Sequence, residues 1–583
     1  MANLEPGVAT QLTDHLERLY PHLNASAIAQ LVHDLSPTDS LHKQGANGEL
    51  WNEQDVMLIT YGDSIVDHNT ASTPAPLSVL HQFLNAHLSE VVNKVHILPF
   101  YPYTSDDGFS VVDYRQVNPT LGNWSDVQAL AHDYDLMFDG VINHISAASP
   151  WFFEYLSSYS QTEHYFFEAS PSTDVSCVVR PRTSPLLQKV NTVRGEAYVW
   201  CTFGHDQIDL NYANPQVLVE VVQLLYFYLA KGASWFRLDA IAYMWKESGT
   251  SCIHLWQTHE IIKILRLLVA QAKSTAVLIT ETNVPMAENI AYFGAGDEAH
   301  SVYNFSLPPL MLEALLSQDG RTLSHWLTNL PVLEAGTTFL NFLASHDGIG
   351  MRPAEGLLSD QELTRMKLHC VELGGLTSDR ALADGQVKTY ELNIGFFDSL
   401  RRTYAGDEAL HVERFCLAYG MVLGMAGVPA IYIHSFLATP NDYDRFRRTG
   451  RHRAINRRQW LLSELEQQLV DPNSTQARVL TQLKMFLKVR RQQCAFHPDA
   501  HQQILDIGSR CVAWRRVSTT PAQCITAVHN ITAEPLTLAT IDLGLLSGQA
   551  LDLLTSNRYN FEAQSVQNLQ LAPYQIMWLE SIP

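Results

Sequence analysis

From residue 56 onward the chain alternates short apolar runs with stretches of helical period. The runs 56–61, 95–100, 136–144, 234–240, 277–283, 301–305, 339–347 and 429–433 are almost continuously hydrophobic, the pattern of strands buried on both faces rather than on one. Between them, segments such as 77–88 and 125–134 repeat their apolar positions at helical spacing. Eight such units predict an α/β fold of the (β/α)8 TIM-barrel type, whose parallel strands close on themselves and whose active sites lie at the C-terminal strand ends. Residues 51–145 and 209–500 form this predicted catalytic barrel. Ahead of it, residues 1–50 read as a helical extension, with Asn24 placed to cap a helix over 25–35. Residues 146–208, rich in aromatics, Ser and Pro, are too long for a simple connection and predict a small domain inserted after strand 3. A second interruption, 348–408, predicts a long active-site loop region within the barrel, after strand 7. Residues 503–583 change to short alternating runs and predict a C-terminal all-β domain.

Three of the apolar runs close on an acid: Asp239, Glu281 and Asp347. Arg237 precedes Asp239 by two, so on a strand both face the same side, and a buried charge is costly unless paired. A structural ion pair is the plain alternative for these two. The catalytic reading is that Arg237 keeps Asp239 ionised, while Glu281, with no basic neighbour in its strand, has the raised pKa of a general acid. Retaining cleavage of a glucosidic bond uses such a pair, with carboxyls about 5–5.5 Å apart. A sugar-binding protein without activity would gain nothing from keeping all three acids.

Composition narrows the partners. At 583 residues the chain exceeds one ordinary core, and 46% hydrophobic with 17% charged residues describes a globular protein. A net charge of −21 argues against nucleic acid as a partner, which would need a basic surface. Eight cysteines without a CxxC suggest neither a disulfide frame nor a zinc site, and no run reaches the length of a membrane span. The expected location is cytoplasmic, with no membrane partner.

Four short stretches, Asp139-Gly140-Val141-Ile142-Asn143-His144, Phe236-Arg237-Leu238-Asp239-Ala240, Glu281 and His346-Asp347, resemble in order the signatures of the α-amylase clan, glycoside hydrolase family 13. Leu98-Pro99-Phe100-Tyr101-Pro102, Asp106-Asp107-Gly108-Phe109, Arg180-Pro181-Arg182, Gln207-Ile208-Asp209 and Ile455-Asn456-Arg457 are similar to its sucrose phosphorylase subfamily, and the length and N-terminal extension look like the glucosylglycerate phosphorylases within it. The resemblance implies that Asp239 is the nucleophile, Glu281 the acid/base and Asp347 the stabiliser of the transition state. It implies further that Asp106, Phe109, His144, Gln207, His346 and Arg457 contact the glucosyl unit. Arg182, Tyr243 and Tyr390 are candidates for phosphate and acceptor, with aromatic packing as the alternative for the two tyrosines.

The implied activity is reversible phosphorolysis of 2-O-α-D-glucosylglycerate to α-D-glucose 1-phosphate and D-glycerate. Sucrose or sucrose 6'-phosphate phosphorylase, then an α-glucosidase or transglucosidase, are the alternatives. The partners are a small sugar substrate and inorganic phosphate, with a homodimer as the candidate assembly and no cofactor. Amylase relatives often hold calcium through the equivalent of Asn143, but calcium wants six to eight oxygens and the 146–208 insertion has no acidic cluster, so no metal is expected.

Overall fold

The computed structural model describes residues 4–37, 48–68, 74–157, 161–381, 387–406, 408–545, 548–561 and 568–582. Eight parallel strands close into a barrel in chain order: β1 (Met57–Thr60), β2 (Lys94–Ile97), β3 (Asp135–Gly140), β4 (Ala233–Leu238), β5 (Val277–Thr280), β6 (Ser301–Tyr303), β7 (Thr338–Asn341) and β8 (Val428–Tyr432). Their apolar runs are continuous because side chains on one face fill the barrel and those on the other meet the surrounding helices; every residue of β4 and β5 is buried. The helix before β4, Pro215–Ala230, begins on an Asn214 cap followed by proline, whose missing N–H costs nothing there.

The N-terminal segment forms two helices, α1 (Pro6–Leu19) and α2 (Ala25–Leu35). Asn24 caps α2 by accepting the Ala27 N–H at 2.9 Å. Ile28, Leu31, Val32 and Leu35 make one buried stripe, each worth about 1.5–3 kcal/mol of burial, laid against Pro215–Ala230. His15 and Arg18 of α1 reach Glu260 of the helix Trp256–Ala272 at 2.7 and 3.4 Å.

Both interruptions are folded. At the base of the first, His144–Ser146 pairs antiparallel with Gln207–Asp209, and farther out a hairpin joins Leu187–Thr192 to Gly195–Trp200. Leu186 and Trp200 bury themselves with Cys252 of the barrel side. The second, expected as a long loop, is a three-stranded antiparallel sheet of Ile349–Gly350, Leu376–Ala381 and Val387–Asn393, with a helix, Asp360–Glu372, started by a Ser359/Glu362 capping box. A stretch this long lying over the barrel must pair its backbone groups, and the sheet does so. The C-terminal six-stranded sheet, from His501–Leu505 to Ile576–Ile582, packs on the helix His411–Gly424. There Trp514 Nε1 and Arg516 Nη1 both donate to the Gly424 carbonyl, at 2.9 and 3.0 Å.

Two strands stop earlier than their apolar runs. β7 pairs with β8 only as far as Asn341 opposite Pro429, which has no N–H to extend the ladder, so Asp347 sits on the following loop and not on the strand. β3 ends at Gly140, and His144 opens the ladder to the inserted domain instead. Among the described residues no helix is long and apolar enough to cross a membrane.

Candidate active site

The site is organised by Arg237. Strand register sets it opposite Asp139 of β3 on one side and Ile279 of β5 on the other, with its guanidinium turned to the C-terminal mouth. It is 2% exposed and ion-paired with Asp139, with Asp239 at 2.8 Å and with Glu281 at 3.9 Å. Rings of Phe109 and Tyr303, 5.3 and 5.6 Å from the guanidinium carbon, hold its plane. Behind it, His96 Nε2 lies 2.6 Å from the other oxygen of Asp139. Burial pushes Asp139 up, but His96 and Arg237 outweigh it and keep the carboxyl below its ordinary range. Asp139 is thus a permanent anchor, and Arg237 is fixed before any substrate arrives.

Directly after Asp239, Ala240 adopts a left-handed conformation, φ +51°, unfavourable for a residue with a Cβ. That turn aims the Ala240 N–H at Glu281 Oε2, 3.1 Å away, tying the loop after β4 to the carboxyl at the end of β5. Burial raises both Asp239 and Glu281 to about 7, so the pair keeps a proton at neutral pH. The expectation that only Glu281 would be raised is therefore revised. Their surroundings differ: Asp239 accepts a guanidinium N–H directly, whereas Glu281 has one backbone donor and a more distant guanidinium. The closer guanidinium favours the charged form of Asp239 more than that of Glu281.

Asp347 completes the acidic group. Burial raises it, but Arg453 at 2.6 Å and Arg457 at 3.8 Å hold it below the usual carboxylate range. His346 stacks on Phe109, rings 4.8 Å apart and 6° from parallel, and burial together with Arg237 and Arg457 keeps it neutral. His144 Nε2 lies 2.9 Å from the Phe109 carbonyl and 3.1 Å from Gln207 Nε2, which also reaches Asp106 at 3.4 Å. Asp106 and Asp107 are consecutive left-handed residues, φ +53° and +48°. This sharp turn points Asp106 to the cavity and Asp107 to Arg457, 2.5 Å away.

Arg182, from the inserted domain, lies over the Tyr390 ring at 5.6 Å, and Tyr243 lines the same cavity. Burial pushes the Tyr243 hydroxyl up to about 12 and raises that of Tyr390, so both are protonated donors at neutral pH.

All the residues singled out from the sequence line one cavity except Arg457. Arg457 stands behind it, donating to the His346 carbonyl at 2.7 Å and pairing with Asp107. The cavity has about 650 Å³ of empty space, with the open solvent at its mouth included. Sequence reasoning missed Arg453 and Asn283, which also line it, and the His96–Asp139 anchor. Asp139 lies in a quoted stretch but was not singled out; nothing in periodicity distinguishes Arg453 from the other arginines of 445–458.

Asn143 has a different partner from a metal. The Lys246 ammonium, buried, bonds Asn143 Oδ1 at 3.0 Å and pairs with Asp209 at 2.8 Å, supplying there the positive charge that a calcium ion would bring.

The family model "Alpha amylase, catalytic domain" matches residues 90–347. The glucosylglycerate phosphorylase of Allomeiothermus silvanus is 41% identical over 551 residues, 94% of this chain and 97% of that protein. That of Escherichia coli K12 is 41% identical over 574 residues, 98% of this chain and all of the relative. Among solved structures, the sucrose 6F-phosphate phosphorylase from Thermoanaerobacter thermosaccharolyticum superposes with a TM-score of 0.71 at 23% identity, covering 89% of this chain and 98% of that one.

Proposed function

Because the chain belongs to the α-amylase clan and, within it, to the subfamily that holds the glucosylglycerate and sucrose phosphorylases, we propose that it is a retaining glucoside phosphorylase acting on 2-O-α-D-glucosylglycerate. Asp239 attacks the anomeric carbon while Glu281 gives its proton to the departing glycerate oxygen, breaking the glucosidic bond and forming a β-glucosyl ester. Glycerate leaves and phosphate enters on the same side. A phosphate oxygen attacks the anomeric carbon, the ester bond breaks, Asp239 regains its carboxylate and Glu281 recovers a proton from the phosphate. Two inversions give α-D-glucose 1-phosphate. Asp347, held ionised, faces the oxocarbenium-like charge in both steps.

The single observation that carries this reading is that Asp239 and Glu281 meet at Arg237 and the Ala240 N–H, with Asp239 the closer of the two to the guanidinium. The acceptor is supported by the two relatives at 41% identity and by Arg182, whose planar guanidinium suits a carboxylate and a phosphate in turn. The cysteines are all free thiols, which suits the reducing cytoplasm where phosphate and sugar phosphates are at hand.

The test is product analysis with glucosylglycerate in the presence and absence of phosphate. The proposal expects α-glucose 1-phosphate as the main product and little free glucose. A rate independent of phosphate with glucose as product favours the hydrolase reading, and a β-anomer overturns the double displacement.

A further inference from the structure

Arg453 ties two carboxylates together, only one of which faces the cavity. Its Nη1 lies 2.6 Å from Asp347 Oδ1, while Nε and Nη2 make a two-point fork with Glu391 at 2.8 and 2.9 Å. Glu391 is 1% exposed and does not line the cavity; its neighbour Tyr390 does, as alternation along the strand Val387–Asn393 requires. Asn393 Nδ2 donates to Glu391 Oε1 at 2.8 Å and Ser378 Oγ to Asn393 Oδ1 at 2.7 Å, so Glu391 is itself fixed by the sheet.

The nearest approach of Arg453, Arg457 and His346 to Asp347 is in each case to Oδ1. A guanidinium with a free edge binds a carboxylate through both oxygens. Here the Nε–Nη2 edge is already taken, and Nη1 is the atom nearest Asp347. We propose that Glu391 is a positioning residue: by occupying Nε and Nη2 of Arg453 it fixes the Nη1 that meets Asp347, and so sets where that carboxylate stands against the glucosyl unit. Without it, the fork turns to Asp347 and withdraws the carboxylate from the sugar. The sheet that carries Tyr390 thereby also sets the position of Asp347.

This inference rests on Asp347 acting at the transition state, and the experiment separates the two. Glu391→Gln keeps the shape and removes the charge. It is expected to lower kcat by about 10- to 100-fold, the scale of a misplacement near 1 Å. The KM for phosphate should stay within about twofold, and the same loss should appear with α-glucosyl fluoride, which needs no acid. In an Asp347→Asn background the same change should cost less than about twofold, a coupling that a purely structural partner of Arg453 would not give. Full additivity of the two changes overturns the inference alone. An Asp347→Asn enzyme within about twofold of wild type overturns both it and the role of Asp347. Should Glu391→Gln not fold, Arg453→Lys, which cannot make the fork, must show the same kcat loss and the same coupling to Asp347→Asn; normal activity in it overturns the inference.

Discussion

Removing the carboxyl of Glu281 separates the proton from the rest of the site. Its pKa, raised from 4.5 to about 7 by burial, corresponds to about 3 kcal/mol at about 1.4 kcal/mol per unit. At neutral pH a carboxyl so raised carries its proton on the order of a hundred times more often than a free one, and that is the form able to act as acid. The sign follows directly: competence as an acid is present below the apparent pKa and is lost as pH rises through about 7, while Asp239, which must be ionised, fails as pH falls. The kcat/KM for glucosylglycerate should therefore trace a bell. With α-glucosyl fluoride the alkaline limb should flatten, because fluoride leaves without a proton. Glu281→Gln should lose about 10²- to 10⁴-fold with glucosylglycerate and less than about tenfold with the fluoride. An alkaline limb that persists with the fluoride, or a Glu281→Gln enzyme equally crippled with both donors, would refute the assignment of the proton.

Asp239→Asn should abolish turnover with both donors yet still bind glucosylglycerate by calorimetry, since Arg237 stays anchored to Asp139, which His96 holds in turn. Lys246→Met should destabilise the protein by about 3–5 kcal/mol in chemical denaturation, because Asp209 is left buried without a counter-charge. Wild-type activity should survive a chelator, and loss restored by calcium would remove the role given to Lys246. Arg182→Ala should raise the KM for phosphate by about tenfold or more while changing hydrolysis of α-glucosyl fluoride little, reading out whether this arginine serves the incoming anion.

The barrel was legible because burial on both faces writes each strand as an unbroken apolar run, and the Asn24 cap was legible because its chemistry is local. Arg237 and Asp239 could be paired from their spacing alone. What spacing cannot carry is contact across the fold. The His96–Asp139 anchor depends on the register of β2 against β3, and the Glu391–Arg453–Asp347 chain joins positions 62 residues apart and more. The strand ends were overextended at Asp347 and His144 because loops packed into a barrel mouth are as apolar as strands; Phe342, Leu343, Val141 and Ile142 are all buried. The sheet in 348–408 was missed since its strands, polar in sequence and only partly buried over much of their length, lack the continuous apolar signature of the barrel.

The acceptor decides the account as a whole. With α-D-glucose 1-phosphate as donor and phosphate release as the readout, kcat/KM is compared for D-glycerate, glycerol, D-fructose and fructose 6-phosphate. The account predicts that D-glycerate leads each of the others by about tenfold or more, and that the product is the α-anomer. Fructose or fructose 6-phosphate ahead of glycerate by about the same factor would leave a phosphorylase in place and contradict the glucosylglycerate assignment.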